Sequence, residues 1–274
     1  MIPSFDPLLF LLFPLLGAVA GFLAGLFGIG GGVLLVPLFL FVFPRIGFPA
    51  DTLVHTALGT SLAIILPTAI SATFGHRKRG NVDWHIVAWL ALASIGGAAL
   101  GSSLASLVSG AALKGCFGAM LVAIGLKFFL LHPHLPPIET EARPIGRLLL
   151  VGFVGGFFSS FFGIGGGVVT VPLMVILLRL PIHLAVGCSS AMIVVSAASA
   201  ALGYVFHGWG RPDLAPYAMG YVCVPVAALT SLATIPGARF GVRIASALPQ
   251  GKMVKAFASL MILLGGRMVI LYLF

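Results

Sequence analysis

Two stretches of this sequence carry glycines where backbone chemistry is possible. Residues 27–38 read FGIGGGVLLVPL and residues 162–173 read FGIGGGVVTVPL. A glycine inside a helix costs about 1 kcal/mol relative to alanine, so such a run breaks a helix. A new helix starting after the break presents free N–H groups and the positive end of its dipole, and together these bind anions. Glycine has no Cβ, so an anion can approach Gly30, Gly31 and Gly32, and Gly165, Gly166 and Gly167, closely. The competing reading is a structural turn. Gly17, Gly21, Gly25 and Gly28, and Gly152, Gly156 and Ser160, recur every three or four residues and fit a helix packing face instead. Pro37 and Pro172 either bend the helix that follows or are tolerated near its start.

Small polar residues recur near the start of a later apolar segment in each half: Thr60 and Ser61 in HTALGTS, and Cys188, Ser189 and Ser190 in HLAVGCSS. They fit two roles, lining an oxyanion site or bonding to carbonyls of their own helix. His55 and His183 occupy matching places, and His76 adjoins Arg77 in a basic loop. These three are candidates for a proton or anion path. The rival readings are inert interfacial histidines and, for His76, a residue that only sets topology. Asp6, Asp51, Asp83, Glu139, Glu141 and Asp213 all fall at segment ends or in loops. Cation and proton pathways in membranes commonly use buried carboxylates, so this layout favours an anion as cargo. No HExxH, GxSxG or Walker pattern is present, and paired carboxylates for an enzyme are missing. We therefore expect no enzyme, no cofactor and no metal. The cysteines, Cys116, Cys188 and Cys223, lie in apolar segments and form neither a disulfide framework nor a ligand cluster.

These positions need a scaffold, and composition names its class. Of 274 residues, 60% are hydrophobic and 8% charged, against roughly 25% charged in soluble domains. Mean hydropathy is +1.18. The expected fold is an all-α polytopic protein of the cell inner membrane, surrounded by lipid. The net charge of +9 fits basic cytoplasmic loops rather than nucleic-acid binding. The N-terminus has no Lys or Arg before Arg45, so it reads as a retained first membrane segment rather than a cleaved leader.

The chain also repeats itself. The two glycine motifs share ten identities in twelve at an offset of 135. HTALGTS matches HLAVGCS at 128, Asp83 matches Asp213 at 130, and Gly97, Ala98 and Gly101 match Gly237, Ala238 and Gly241 at 140. This ordered match implies two homologous halves: 1–131, a linker loop at 132–144, and 145–274. Apolar segments are expected at 8–26, 33–43, 53–74, 84–108 and 112–131, then at 145–162, 168–179, 184–206, 214–236 and 252–273, giving eight to ten membrane segments. The second of each half is too short to cross a bilayer alone. Arg77, Lys78 and Arg79 follow the third segment of the first half, where the second half has only Arg211. Conversely, Arg239, Arg243, Lys252 and Lys255 surround the last loop of the second half, where the first half has Lys114. Basic loops that swap position predict an inverted-topology repeat with broken helices at the glycine motifs and both termini outside.

GAVAGFLAGLFGIGGGVLLVPL (17–38), HTALGTSLAI (55–64) and GHRKRGNVDW (75–84), with their second-half copies, resemble the sulfite exporter family of the TauE/SafE type over nearly the whole chain. The resemblance implies a bacterial or archaeal permease for sulfite, sulfoacetate or related organosulfur anions. Cys188 stands where the first half has Thr60, so the half-sites differ. Together the residues and the resemblance point to a secondary transporter, with an anion channel or a membrane component of sulfur metabolism as alternatives. Small-residue faces permit a homodimer.

Overall fold

The computed structural model describes residues 7–130, 144–215 and 217–273. Among them run ten helices: α1 (Pro7–Phe27), α2 (Gly32–Val42), α3 (Leu53–Arg77), α4 (Trp84–Leu107), α5 (Gly110–Leu130), α6 (Ile145–Phe161), α7 (Gly167–Leu177), α8 (Ile182–Gly208), α9 (Val224–Ala245) and α10 (Gln250–Leu273). A 3₁₀ turn, Phe43–Ile46, follows α2, and a small antiparallel hairpin, β1 (Ala218–Met219) and β2 (Val222–Cys223), precedes α9. The fold is all-α and polytopic. Of the described helices α3, α4, α8 and the Gly110–Lys127 part of α5 are long and apolar enough to cross a membrane. The expected linker over 132–144 lies outside the described residues apart from Pro144.

The short second helix of each set is present as expected. Helices α2 and α7 have 11 residues each, about 16 Å at 1.5 Å per residue, roughly half of a hydrocarbon core. Each folds back along the helix before it: a Cβ built on Gly31 would lie 2.8 Å from the Ala20 carbonyl oxygen of α1, and one on Gly166 would overlap the Gly155 carbonyl of α6.

The first five helices and the second five pack crosswise. Gly17, Gly21 and Gly25 of α1 press on Thr230, Thr234 and Ala238 of α9, and Gly152 and Gly156 of α6 press on Leu90 and Ser94 of α4. At each of these glycines a Cβ would collide with a backbone carbonyl of the partner helix, so only glycine permits this approach. Gly125 of α5 and Gly265 of α10 likewise meet Ile262 and Val122 of the opposite helix. At the centre α3 and α8 run antiparallel. Gly59, near the start of α3, touches Tyr204 near the end of α8, and Gly187, near the start of α8, touches Asn81 just beyond the end of α3.

One segment departs from expectation. The ninth helix was expected over 214–236 and is found at Val224–Ala245. Residues 218–223 instead turn back as the hairpin, with Tyr217 and Gly220 at positive φ, and Pro225 starts the helix. Arg239 and Arg243 consequently sit in the last turns of α9 rather than in a loop. The expected pairing of Asp83 with Asp213 also gives way. Asp83 N-caps α4, accepting from the N–H groups of His85 (2.9 Å) and Ile86 (3.3 Å), and the N-cap of α9 is Cys223. GNVDW (80–84) therefore corresponds to GYVCV (220–224) at the offset of 140 that Gly97 and Gly237 already share. The second half therefore carries a twelve-residue insertion between Tyr204, which matches His76 at an offset of 128, and Gly220.

Candidate functional site

Helix α1 ends when the Gly28 N–H donates to Ala24 (2.8 Å). The chain then turns, and Gly31 (φ 84°, ψ −11°) caps α2, its carbonyl accepting from Leu34 (3.1 Å) and Leu35 (3.2 Å). The second motif repeats this. Gly166 (φ 80°, ψ −18°) caps α7 and accepts from Val169 (3.0 Å) and Thr170 (2.9 Å). Only glycine holds these left-handed positions without strain.

The two loops abut. A Cβ on Gly32 would lie 2.6 Å from Ile164 Cα, and one on Gly167 would lie 2.6 Å from Ile29 Cα. Ile65 of α3 and Ile193 of α8 flank both, touching Gly30 and Gly165 alike. The N-termini of α2 and α7 thus meet between the two central helices. Among the described residues no hydrogen bond is made by the N–H groups of Gly30, Gly31, Gly32 and Val33, or of Gly165, Gly166, Gly167 and Val168. All of these residues are buried. Buried N–H groups are nearly always paired, and a left-handed residue entering a helix is a backbone concavity that suits an anion.

The polar residues of α3 and α8 surround these loops with different commitments. Thr60 Oγ1 accepts from the Cys223 N–H (2.9 Å). Cys188 holds the matching place, its Sγ accepting from the Asp83 N–H (3.3 Å). Ser189 donates to the Gly28 carbonyl (3.0 Å), and Ser190 bonds back to Val186 of its own helix (2.9 Å). Ser61 is fully buried and its hydroxyl has no partner. Of the sequence-predicted residues, then, the two glycine triplets are brought together with Ser189 directly on the first loop. Thr60 and Cys188 are turned to the extended segments that dock on α3 and α8.

The hydrogen bonds of His55 and His76 go to carbonyls outside the glycine loops. His76 is buried and its ring N–H faces the Gly25 carbonyl (3.0 Å), tying the end of α3 to α1. Tyr204, its aligned counterpart, donates to the Ser160 carbonyl (3.0 Å) in the second set of helices. His55 reaches the Ala105 carbonyl (3.0 Å) and packs on Tyr221 with ring centroids 5.2 Å apart. His183 lies half-buried in the first turn of α8. Every described Lys and Arg side chain is exposed. Among the described residues, no group of three His, Cys, Asp or Glu side chains is placed to hold a metal.

Sequence reasoning missed the docking of residues 80–83 and 220–223. The signal was present in the pair GNVDW and GYVCV, but the shared Asp at 83 and 213 drew the alignment to the wrong offset. It also missed a small crevice of about 10 Å³ lined by Val36, Leu40, Val54, Leu58, Leu113, Phe117 and Phe162. Every lining residue is apolar, so it offers nothing to an anion.

Comparison with known proteins agrees with this architecture. The chain is 31% identical over 249 residues to a probable membrane transporter protein of Haemophilus influenzae, covering 90% of this chain and 93% of the relative. It is 31% identical over 238 residues to one of Methanocaldococcus jannaschii, covering 85% and 86%. A third relative, from Bacillus subtilis, is 26% identical with 92% and 93% covered. No solved structure matches the chain. The family described as sulfite exporter TauE/SafE matches residues 13–268. With that span covering the glycine loops and all the helices that frame them, the chain belongs to the TauE/SafE family of membrane transporters.

Proposed function

We propose that this chain is a secondary transporter that carries a small sulfur-containing oxyanion, such as sulfite or an organosulfonate, out across the inner membrane. The observation that carries the reading is the pair of abutting half-helix N-termini whose buried N–H groups have no partner among the described residues. Oriented dipoles and N–H groups at membrane depth stabilise an anion without a buried cation. The glycine triplets Gly30–Gly32 and Gly165–Gly167 supply the donors, and Ser61, whose hydroxyl is not committed to the protein, supplies a hydroxyl beside them. Residues 1–131 and 145–274 act as inverted repeats joined by the loop 132–144, and rock about the site to expose it alternately. The antiparallel α3 and α8 and the swapped basic loops support that arrangement.

The test is transport in proteoliposomes. Labelled sulfite, sulfoacetate and thiosulfate are offered separately, with unlabelled anion trapped inside. Saturable uptake accelerated by internal anion identifies a carrier. Single-channel currents without counterflow would make it an anion channel. Absence of movement for all three would overturn the choice of cargo.

A further inference from the structure

The two glycine loops look alike in backbone, and their side-chain neighbours do not. Ser189 of α8 stands between Val186, which touches Gly28, and Ile193, which touches Gly30, and its hydroxyl is spent on the Gly28 carbonyl. Ser61 holds the equivalent place on α3, 128 residues earlier. It stands between Leu58, whose Cα is the nearest atom to a Cβ on Gly163, and Ile65, which touches Gly165. Residues three and four apart share a helix face, so Ser61 fronts the second loop as Ser189 fronts the first. Its hydroxyl, fully buried, bonds neither that loop nor its own helix.

We infer that the chain binds a single, singly charged anion, held at the second loop by the N–H groups of Gly165, Gly166 and Gly167 and by the Ser61 hydroxyl. The inference rests on the anion-transport reading above and narrows it. Two anions in loops that touch would repel strongly at low dielectric, which limits the site to one. Among the described residues the side-chain donor facing the first loop, Ser189, is already committed to the Gly28 carbonyl, which selects the second. The charge of the cargo follows from what surrounds it. The donors are neutral and every described Lys and Arg is exposed. Dehydration cost grows with the square of charge, and a dianion without a counter-charge is left uncompensated. Hydrogensulfite or a sulfonate fits; a doubly charged oxyanion does not.

Methanesulfonate and sulfate share a tetrahedral sulfur head and differ in charge, so they serve as probes. Each is titrated calorimetrically into the full-length protein in nanodiscs. We expect one methanesulfonate per chain and binding of sulfate at least tenfold weaker. Ser61→Ala should weaken methanesulfonate at least tenfold with an unchanged melting temperature, because no protein hydrogen bond is lost. Thr73→Ala, which removes a buried hydroxyl that bonds only to Ala69 of its own helix, should leave affinity unchanged. Two anions per chain, sulfate binding as tight as methanesulfonate, no methanesulfonate binding, or full affinity in Ser61→Ala would each overturn the inference. The stoichiometry and charge preference are read on the wild-type protein, so they decide even where a variant folds poorly. Counterflow with an unchanged half-saturating concentration in Ser61→Ala proteoliposomes defeats this inference alone; absence of sulfur-anion transport by the wild type defeats the transport reading itself.

Discussion

At the scale of single residues, the polar groups of α3 and α8 divide into those that hold the protein and those left over. Thr60 is structural: it satisfies the Cys223 N–H, which comes from 163 positions along the chain. Thr60→Val keeps the shape and removes the acceptor, leaving a buried donor unpaired at a cost of about 1–3 kcal/mol. The expected outcome is a lower melting temperature in detergent, with Thr60→Ser close to wild type. Ser189→Ala should also destabilise, by about 1 kcal/mol, because it strips the Gly28 carbonyl of its donor. Equal melting curves for wild type and both variants would show that these bonds do not hold the fold. The sequence made Thr60, Ser61 and Ser189 visible as a group. It gave no means of sorting them, because the partners of Thr60 and Ser189, Cys223 and Gly28, come from distant parts of the chain and Ser61 has none among the described residues.

At the scale of elements, the helices were largely legible, since apolar runs and glycine breaks are local signals. Both 11-residue helices after the glycine motifs appear within about two residues of expectation. The start of α9 was not legible. Residues 214–223 are as apolar as a helix, and the turn at Gly220 is set by its fit against Val205 and Gly208 of α8. The glycine faces of α1 and α6 were read correctly as packing surfaces, and their partners, α9 and α4, could not be named from one sequence. Their closeness predicts a sharp effect of bulk. A leucine at Gly21 or Gly156 would drive its side chain into the backbone at Thr234 or Ser94, and overpacking of this kind cannot relax by a rotamer change. We expect Gly21→Leu and Gly156→Leu to be lost from the membrane fraction or to aggregate on size-exclusion chromatography, whereas Gly146→Leu, where nothing lies within 4 Å, should behave as wild type.

At the scale of the whole molecule, the antiparallel α3 and α8 put the ends of the two helices on opposite faces. The turn at Arg79 and the turn at Arg211 follow α3 and α8 respectively. In an otherwise cysteine-free background, Arg79→Cys should react with a membrane-impermeant maleimide only in inside-out vesicles, and Arg211→Cys only in right-side-out cells. Labelling of both from one side would break the inverted arrangement. Charge predicts the same organisation, because the place in the second half that matches Arg77, Lys78 and Arg79 holds only Arg211. Crosswise packing was not legible, because it is a relation between distant faces.

That crosswise packing has a consequence for how the chain is made. Gly17 of α1 finds its partner at Thr230 of α9, 213 residues later. At 5–20 residues per second, α1 waits roughly 10–40 s in the bilayer with its glycine stripe facing lipid or whatever machinery inserts it. Helix α6 waits for nothing, because α4 precedes it. The first half is therefore the vulnerable one during synthesis, and a ribosome stalled before residue 224 leaves behind a fragment whose first helix has nowhere to dock.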